Sequence, residues 1–176
     1  MVRYGFWACF LLFAAIAGVM DWRSRRIPNW LTVSGLIVGV AINTLSRGWP
    51  GAKASLLGAC LGLGLLLPFV LIRSLGAGDW KLVGALGGFV GPEDLLALLF
   101  FAIVVAGSMA LILIVAKRRL GGTLRNIGHM LASLLSFHLP GTEVSLDNPE
   151  SLKIPFGVAV AIAAVIYTAD RLWRGV

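Results

Sequence analysis

Gly76-Ala77-Gly78-Asp79-Trp80-Lys81 sets a carboxylate between two apolar segments. An Asp at the centre of a membrane helix costs about 2.5–3.5 kcal/mol on insertion scales, and less near the interface, so its presence there calls for a reason. The glycines ahead of it keep side-chain bulk away and open backbone angles closed to other residues, which lets a second polypeptide approach the carboxylate. A plainer reading makes Asp79 the N-cap of a helix beginning at Trp80, since Asp is a favoured cap. The stretch alone does not choose between the two. A second carboxylate upstream, Asp21, shifts the balance.

The surrounding chain is built for lipid. Of its 176 residues, 59% are hydrophobic and 13% charged, where a soluble domain carries about 25% charge; its mean hydropathy is +0.92. This composition predicts an all-α integral membrane protein, one bundle of about six transmembrane helices over residues 1–176 with no second domain. The net charge of +7 does not point to nucleic acid, because the basic residues fall in short clusters between apolar runs, as membrane orientation signals do. Cys9 and Cys60 lie inside apolar runs, and no Cys-x-x-Cys pair is present; they indicate neither a disulfide framework nor a zinc module. The first apolar run is followed by no small-residue cleavage site, so it reads as a retained span.

Outward from Asp79 the spans follow one another. The first runs from about Tyr4 to Met20 and ends at Asp21. The connection Asp21-Trp22-Arg23-Ser24-Arg25-Arg26-Ile27-Pro28-Asn29 has Pro28 biasing Ile27 away from helix and Asn29 as a candidate N-cap. Span two covers about Trp30 to Leu45, Ser46–Gly51 reads as a turn, and span three covers about Ala54 to Ile72. The fourth, Trp80 to Val90, is too short to cross the hydrocarbon core, which needs about twenty residues. It either starts earlier, near Ser74, or is shielded inside the bundle, and Gly84, Gly87 and Gly88 favour shielding. After a turn at Gly91-Pro92-Glu93-Asp94, span five runs from about Leu95 to Ala116 and stops at Lys117-Arg118-Arg119. Leu120, Leu124, Ile127, Leu131 and Leu134 then recur at helical spacing opposite Arg125, His129, Ser133 and Ser136. That pattern predicts an interfacial amphipathic helix between the fifth and sixth spans. A polar loop covers Gly141 to Ser151. Span six runs from about Ile154 to Ala169, with Pro155 near its first turn, where a missing N–H is tolerated.

Alternation of the spans sorts the connections into two sets. The loops at 21–29, 73–81 and 117–153 hold ten basic residues, against five in the termini and the other turns. The positive-inside rule puts the first set in the cytoplasm. By the same parity Asp21 closes an inward-running helix and Asp79 opens an outward-running one, so both carboxylates reach the same face. Glu93, Asp94, Glu143, Asp147, Glu150 and Asp170 read as solvated surface.

Two carboxylates held close do not both ionise easily, so one can serve as general base toward water and the other as general acid toward a peptide carbonyl. Such chemistry needs no cofactor, no metal and no serine or cysteine nucleophile. His129 and His138 read as interfacial residues, and no metal site is expected.

Asp21 with Arg25-Arg26-Ile27-Pro28-Asn29, followed by Gly76-Ala77-Gly78-Asp79-Trp80-Lys81-Leu82, resembles the prepilin peptidase family of membrane aspartic proteases, which carry a G-x-G-D motif and an earlier Asp before an R-x-I-P-N-like stretch. Lys153-Ile154-Pro155-Phe156-Gly157 is similar to the proline motif heading that family's last helix. The resemblance implies Asp21 and Asp79 as catalytic residues. Gly76, Gly78, Lys81, Arg26, Pro28, Asn29 and Pro155 would bind substrate or shape the site. It implies prepilin or preflagellin substrates, with a short basic leader ahead of a hydrophobic helix, cut at the cytoplasmic face of the inner membrane. Larger family members add an N-terminal Cys-x-x-Cys region tied to N-methylation. This chain lacks those cysteines and resembles the short type serving Flp/Tad pili or the archaeal preflagellin peptidases, without the methylating activity.

Two readings from other classes compete: a small ion- or proton-coupled transporter, in which intramembrane carboxylates relay ions, and a non-catalytic pilus assembly scaffold. The motifs count against the first and the retained Asp pair against the second. The ten-to-five basic bias generates a direct test of orientation. A cysteine placed at Ser24 or Thr142 should be labelled from the cytoplasm and one at Gly48 from the opposite side; labelling of Ser24 from outside intact cells would reverse the topology.

Overall fold

The computed structural model describes residues 2–71, 75–116 and 155–174. These form six helices, α1 (Val2–Ser24), α2 (Asn29–Arg47), α3 (Trp49–Leu71), α4 (Ala77–Val90), α5 (Pro92–Ala116) and α6 (Phe156–Trp173). All but α4 are long and apolar enough to cross a membrane, and the chain is a multi-pass, all-helical membrane protein. The expected amphipathic helix with His129, the loop that follows, His138 and Arg73 lie outside the described residues.

α4 has 14 residues, about 21 Å of helix against a hydrocarbon core of about 30 Å. The shielded alternative is the one observed. α4 packs most heavily on α3 and α2, and also meets α1, α5 and α6. Its residues Leu82 through Phe89 are buried without interruption. A helix apolar on every side belongs in a protein interior. By contrast Leu45, Phe100, Ile103, Ile112 and Val115, on α2 and α5, are exposed, as side chains facing lipid are.

Several boundaries differ from the expectation, each for a local reason. α1 continues past Asp21 to Ser24, and the Arg25 N–H then closes on the Asp21 carbonyl at 2.9 Å, with Arg25 at φ 52. This single left-handed residue ends the helix and turns the chain. Asn29 is not the N-cap of α2. Pro28 takes that place with extended backbone and no side-chain cap bond, which leaves the Asn29 side chain free for another role. The turn expected over Ser46–Gly51 is reduced to Gly48 (φ 66, ψ -146), and that before α5 to Gly91 (φ 83, ψ 177). Both conformations are essentially restricted to glycine. Pro50 and Pro92 therefore sit in first helical turns, where a missing N–H costs little. Asp94, read as solvated, is only partly exposed and pairs with Arg171, because the start of α5 and the end of α6 meet at the same end of the bundle. Asp170 pairs with Arg174 at 2.9 Å.

The core is aromatic where α1, α4 and α6 meet. Phe13 stacks on Phe89 with ring centroids 5.3 Å apart, Phe10 meets Phe89 edge-on at 5.9 Å, and Trp7 meets Tyr167 at 6.0 Å. Below them, the C-terminal carbonyls of α4 have no partner within their own helix. Asn43, buried on α2, supplies one: its Nδ2 donates to the Phe89 carbonyl at 2.7 Å and to Ser55 Oγ on α3 at 2.9 Å. Backbones touch directly where α3 crosses α4, since a Cβ on Gly58 or Gly87 would drive into the carbonyl oxygen of the other.

That crossing yields a stability prediction. Gly87→Ala should lower the thermal midpoint of the detergent-solubilised protein, by the roughly 1–3 kcal/mol of an overpacked core. Gly64→Ala, also in the bundle but with open space around the added carbon, should leave the midpoint unchanged or slightly raised. Equal midpoints for the two variants would mean that the α3–α4 contact is looser than described.

Candidate active site

Asp21 owes its position to a stripe of small residues. Ala14, Ala17 and Gly18 precede it at the spacing that shares one helix face, and Ala14, Ala17 and Asp21 are buried. This face lies against α6 so closely that a Cβ on Gly18 would come within 2.8 Å of the Ala161 Cβ. Asp21 thus continues the α1–α6 seam and is only 6% exposed. A charge there requires hydrogen bonds, because an isolated buried carboxylate is costly. The Gly157 N–H supplies one, donating to Asp21 Oδ2 at 2.7 Å. Gly157 is the second residue of α6, and its N–H is among those a helix start leaves without an internal acceptor. Charge-assisted bonds of this kind are short and about twice as strong as neutral ones.

Asp79 is the third residue of α4, whose N-cap is Gly76. The cap reading of Asp79 is therefore corrected: the helix starts two residues before it, and no side chain caps that end. A first-turn carboxylate is instead favoured by the helix dipole. A Cβ on Gly76 would lie 3.0 Å from Asp79 Oδ2, so the glycine clears space beside the carboxylate. The charges of Asp79 and Asp21 act on one another. Two helices of opposite direction, α1 ending and α4 beginning, bring their acids to the same end of the bundle.

Other residues singled out in the sequence hold α4 in place. A Cβ on Gly78 would meet the Ile27 Cβ at 3.3 Å and its backbone at 3.4 Å, so the start of α4 rests on the Ile27-Pro28-Asn29 segment. Lys81 Nζ donates to Asn29 Oδ1 at 2.9 Å, and Trp80 Nε1 donates to the Leu63 carbonyl on α3 at 2.7 Å. Pro155 is buried and is the N-cap of α6, one step from the Gly157 N–H. Arg26 differs: its side chain is exposed, and its carbonyl accepts a bond from Ser24 Oγ at 3.0 Å. Gly157 closes the Lys153-Ile154-Pro155-Phe156-Gly157 stretch noted in the sequence, but no role was assigned to it there. Its signal was its place in that motif, two residues after Pro155 at the head of a helix. Among the described residues no three His, Cys, Asp or Glu side chains converge as a metal site would require.

A family model described as the type IV leader peptidase family matches residues 8–112. The chain belongs to that family. Within the leader peptidase match lie both Asp21 and Asp79, whereas α6 and Gly157 lie beyond it. A prepilin leader peptidase/N-methyltransferase of Xanthomonas campestris pv. campestris is 30% identical over 119 residues, which take in 64% of this chain and 40% of the relative. The chain thus matches well under half the length of that curated relative. No solved structure matches it.

The Lys81–Asn29 bond, which ties the α4 start of this leader peptidase-family chain to α2, should be measurable as a coupling. Asn29→Ala and Lys81→Ala are each expected to destabilise slightly. The double variant should fall short of their sum by about 0.5–1 kcal/mol, as contacting residues do. Additive losses in thermal denaturation would mean that the two side chains do not act together.

Proposed function

We propose that this chain is a membrane-embedded aspartic endopeptidase. Its substrates are prepilin- or preflagellin-like, and it removes their short basic leader at the cytoplasmic face of the inner membrane. The observation that carries the reading is the arrival of Asp21, in the last turn of α1, and Asp79, in the first turn of α4, at the same end of the bundle. Family membership and the prepilin peptidase relative support the substrate class, and the excess of basic residues in the connections on that side supports the orientation.

The chemistry follows from sharing one proton between two carboxylates. The ionised one takes a proton from water as the water oxygen bonds to the scissile carbonyl carbon. The protonated one gives its proton to the carbonyl oxygen. Collapse of the tetrahedral intermediate breaks the C–N bond. The departing amine takes a proton from the carboxyl that acted as base, and the hydroxyl proton returns to the other carboxylate, which restores the starting pair. A water-poor site strengthens each of these interactions. The location also fits a substrate whose hydrophobic helix stays in the bilayer while its basic leader remains in the cytoplasm, because the pair lies at the end of the bundle and not at its middle.

Asp21→Asn and Asp79→Asn should each abolish cleavage of a prepilin substrate by purified protein, since Asn keeps the shape but cannot carry the proton. Residues acting as a unit show strongly non-additive losses, so the double variant should be hardly worse than either single one. A well-inserted single variant that still cleaves at an appreciable rate would remove that residue from the proposed pair.

A further inference from the structure

The α1–α6 seam contains two glycines of different kinds. Gly18 faces α6, with its added carbon 2.8 Å from the Ala161 Cβ and 3.3 Å from the Gly157 carbonyl oxygen, and so sets how closely the two helices pack. Gly157 faces the acid itself: its N–H reaches Asp21 Oδ2 at 2.7 Å. A Cβ there would stand 2.8 Å from the Asp21 Cβ, 3.0 Å from Oδ2 and 3.2 Å from Cγ. Any side chain at 157 therefore pushes on the carboxylate, and only glycine lets the backbone come close enough to donate. The Asp21 side chain is buried, so little solvent is present to replace the bond.

We infer that Gly157 is a positioning residue of the site, whose backbone N–H fixes the Asp21 carboxylate. One oxygen is committed to the backbone, and proton transfer falls to the other. The inference rests on the aspartic peptidase reading above and adds the start of α6 as a third structural component of the site. Pro155, the extended N-cap of α6, sets the direction from which that N–H arrives. The angle of the carboxylate matters because reacting groups misplaced by about 1 Å can cost about a hundredfold in rate.

The test compares Gly157→Ala with Gly51→Ala in the full chain, purified in detergent, on a prepilin-type peptide, with Asp21→Asn in the same assay. Gly157→Ala should lower kcat by about ten- to a hundredfold with KM changed less than about twofold, because positioning acts in the chemical step. Gly51→Ala, whose added carbon would press on the Asn43 backbone where α2 and α3 join, at the other end of the bundle, should lower the thermal midpoint with kcat within about threefold of wild type. If Gly157→Ala accumulates poorly, Gly157→Ala with Ala161→Gly loosens the same seam and repeats the comparison. A Gly157→Ala kcat near wild type while Asp21→Asn is inactive overturns this inference alone. So does an equal loss of kcat in Gly51→Ala, which would make the effect one of packing. A wild-type chain that cleaves no such peptide overturns the peptidase reading and this inference with it.

Discussion

A 14-residue helix cannot reach across the hydrocarbon of a bilayer, and this one carries an acid in its first turn. Lipid offers no hydrogen bonds to an exposed helix end, so α4 must be enclosed by protein. The rest of the bundle follows from that requirement. α2 and α3 wall α4 over most of its surface, with α1, α5 and α6 completing the enclosure. Three polar groups of α4 are answered by its neighbours. Asn43 takes the C-terminal carbonyl, Trp80 reaches back to the α3 backbone, and Lys81 finds Asn29. Backbone contact at Gly58 and Gly87 shows how little room the enclosure leaves.

Enclosure of α4 also determines where its carboxylate goes. The short helix begins near the level at which α1 is about to end, and so Asp79 and Asp21 arrive together from helices running in opposite directions. The two acids are held differently. Asp79 sits in a first turn, where the helix dipole favours negative charge, and glycine beside it leaves space. Asp21 sits deeper, in the last full turn of α1, and depends on a hydrogen bond from the start of α6. In the aspartic peptidase chemistry proposed for the pair, mutual repulsion alone divides the roles of acid and base, and unequal surroundings bias which acid holds the shared proton.

Much of this was legible in the residues. Apolar runs broken by short basic clusters determine the number and alternation of the helices, because transfer of each segment to lipid is a property of its own composition. The parity that brings Asp21 and Asp79 to one face needs only that count. The shortness of the fourth run, with Gly84, Gly87 and Gly88 in it, already indicated burial. The pairing of Gly-x-Gly-Asp with the upstream Asp, Ile-Pro-Asn stretch was enough to suggest the family.

Contacts between distant segments could not be read the same way. Asn29 looks like a cap in the sequence, because local propensity favours Asn there; packing instead made Pro28 the cap and turned Asn29 toward Lys81, 52 positions away. Asp79 likewise looked like a cap until α4 was seen to begin at Ala77. Gly157 was visible as the end of the Lys153–Gly157 stretch but not as a partner of Asp21, since its role depends on an N–H that α6 leaves open and on a carboxylate 136 positions earlier in the chain. Helix count, alternation and the face shared by the two acids are determined by composition along the chain. Which backbone group meets which carboxylate is decided only by how closely three helix ends pack, and that depends on the absence of a side chain at positions whose neighbours the sequence does not name.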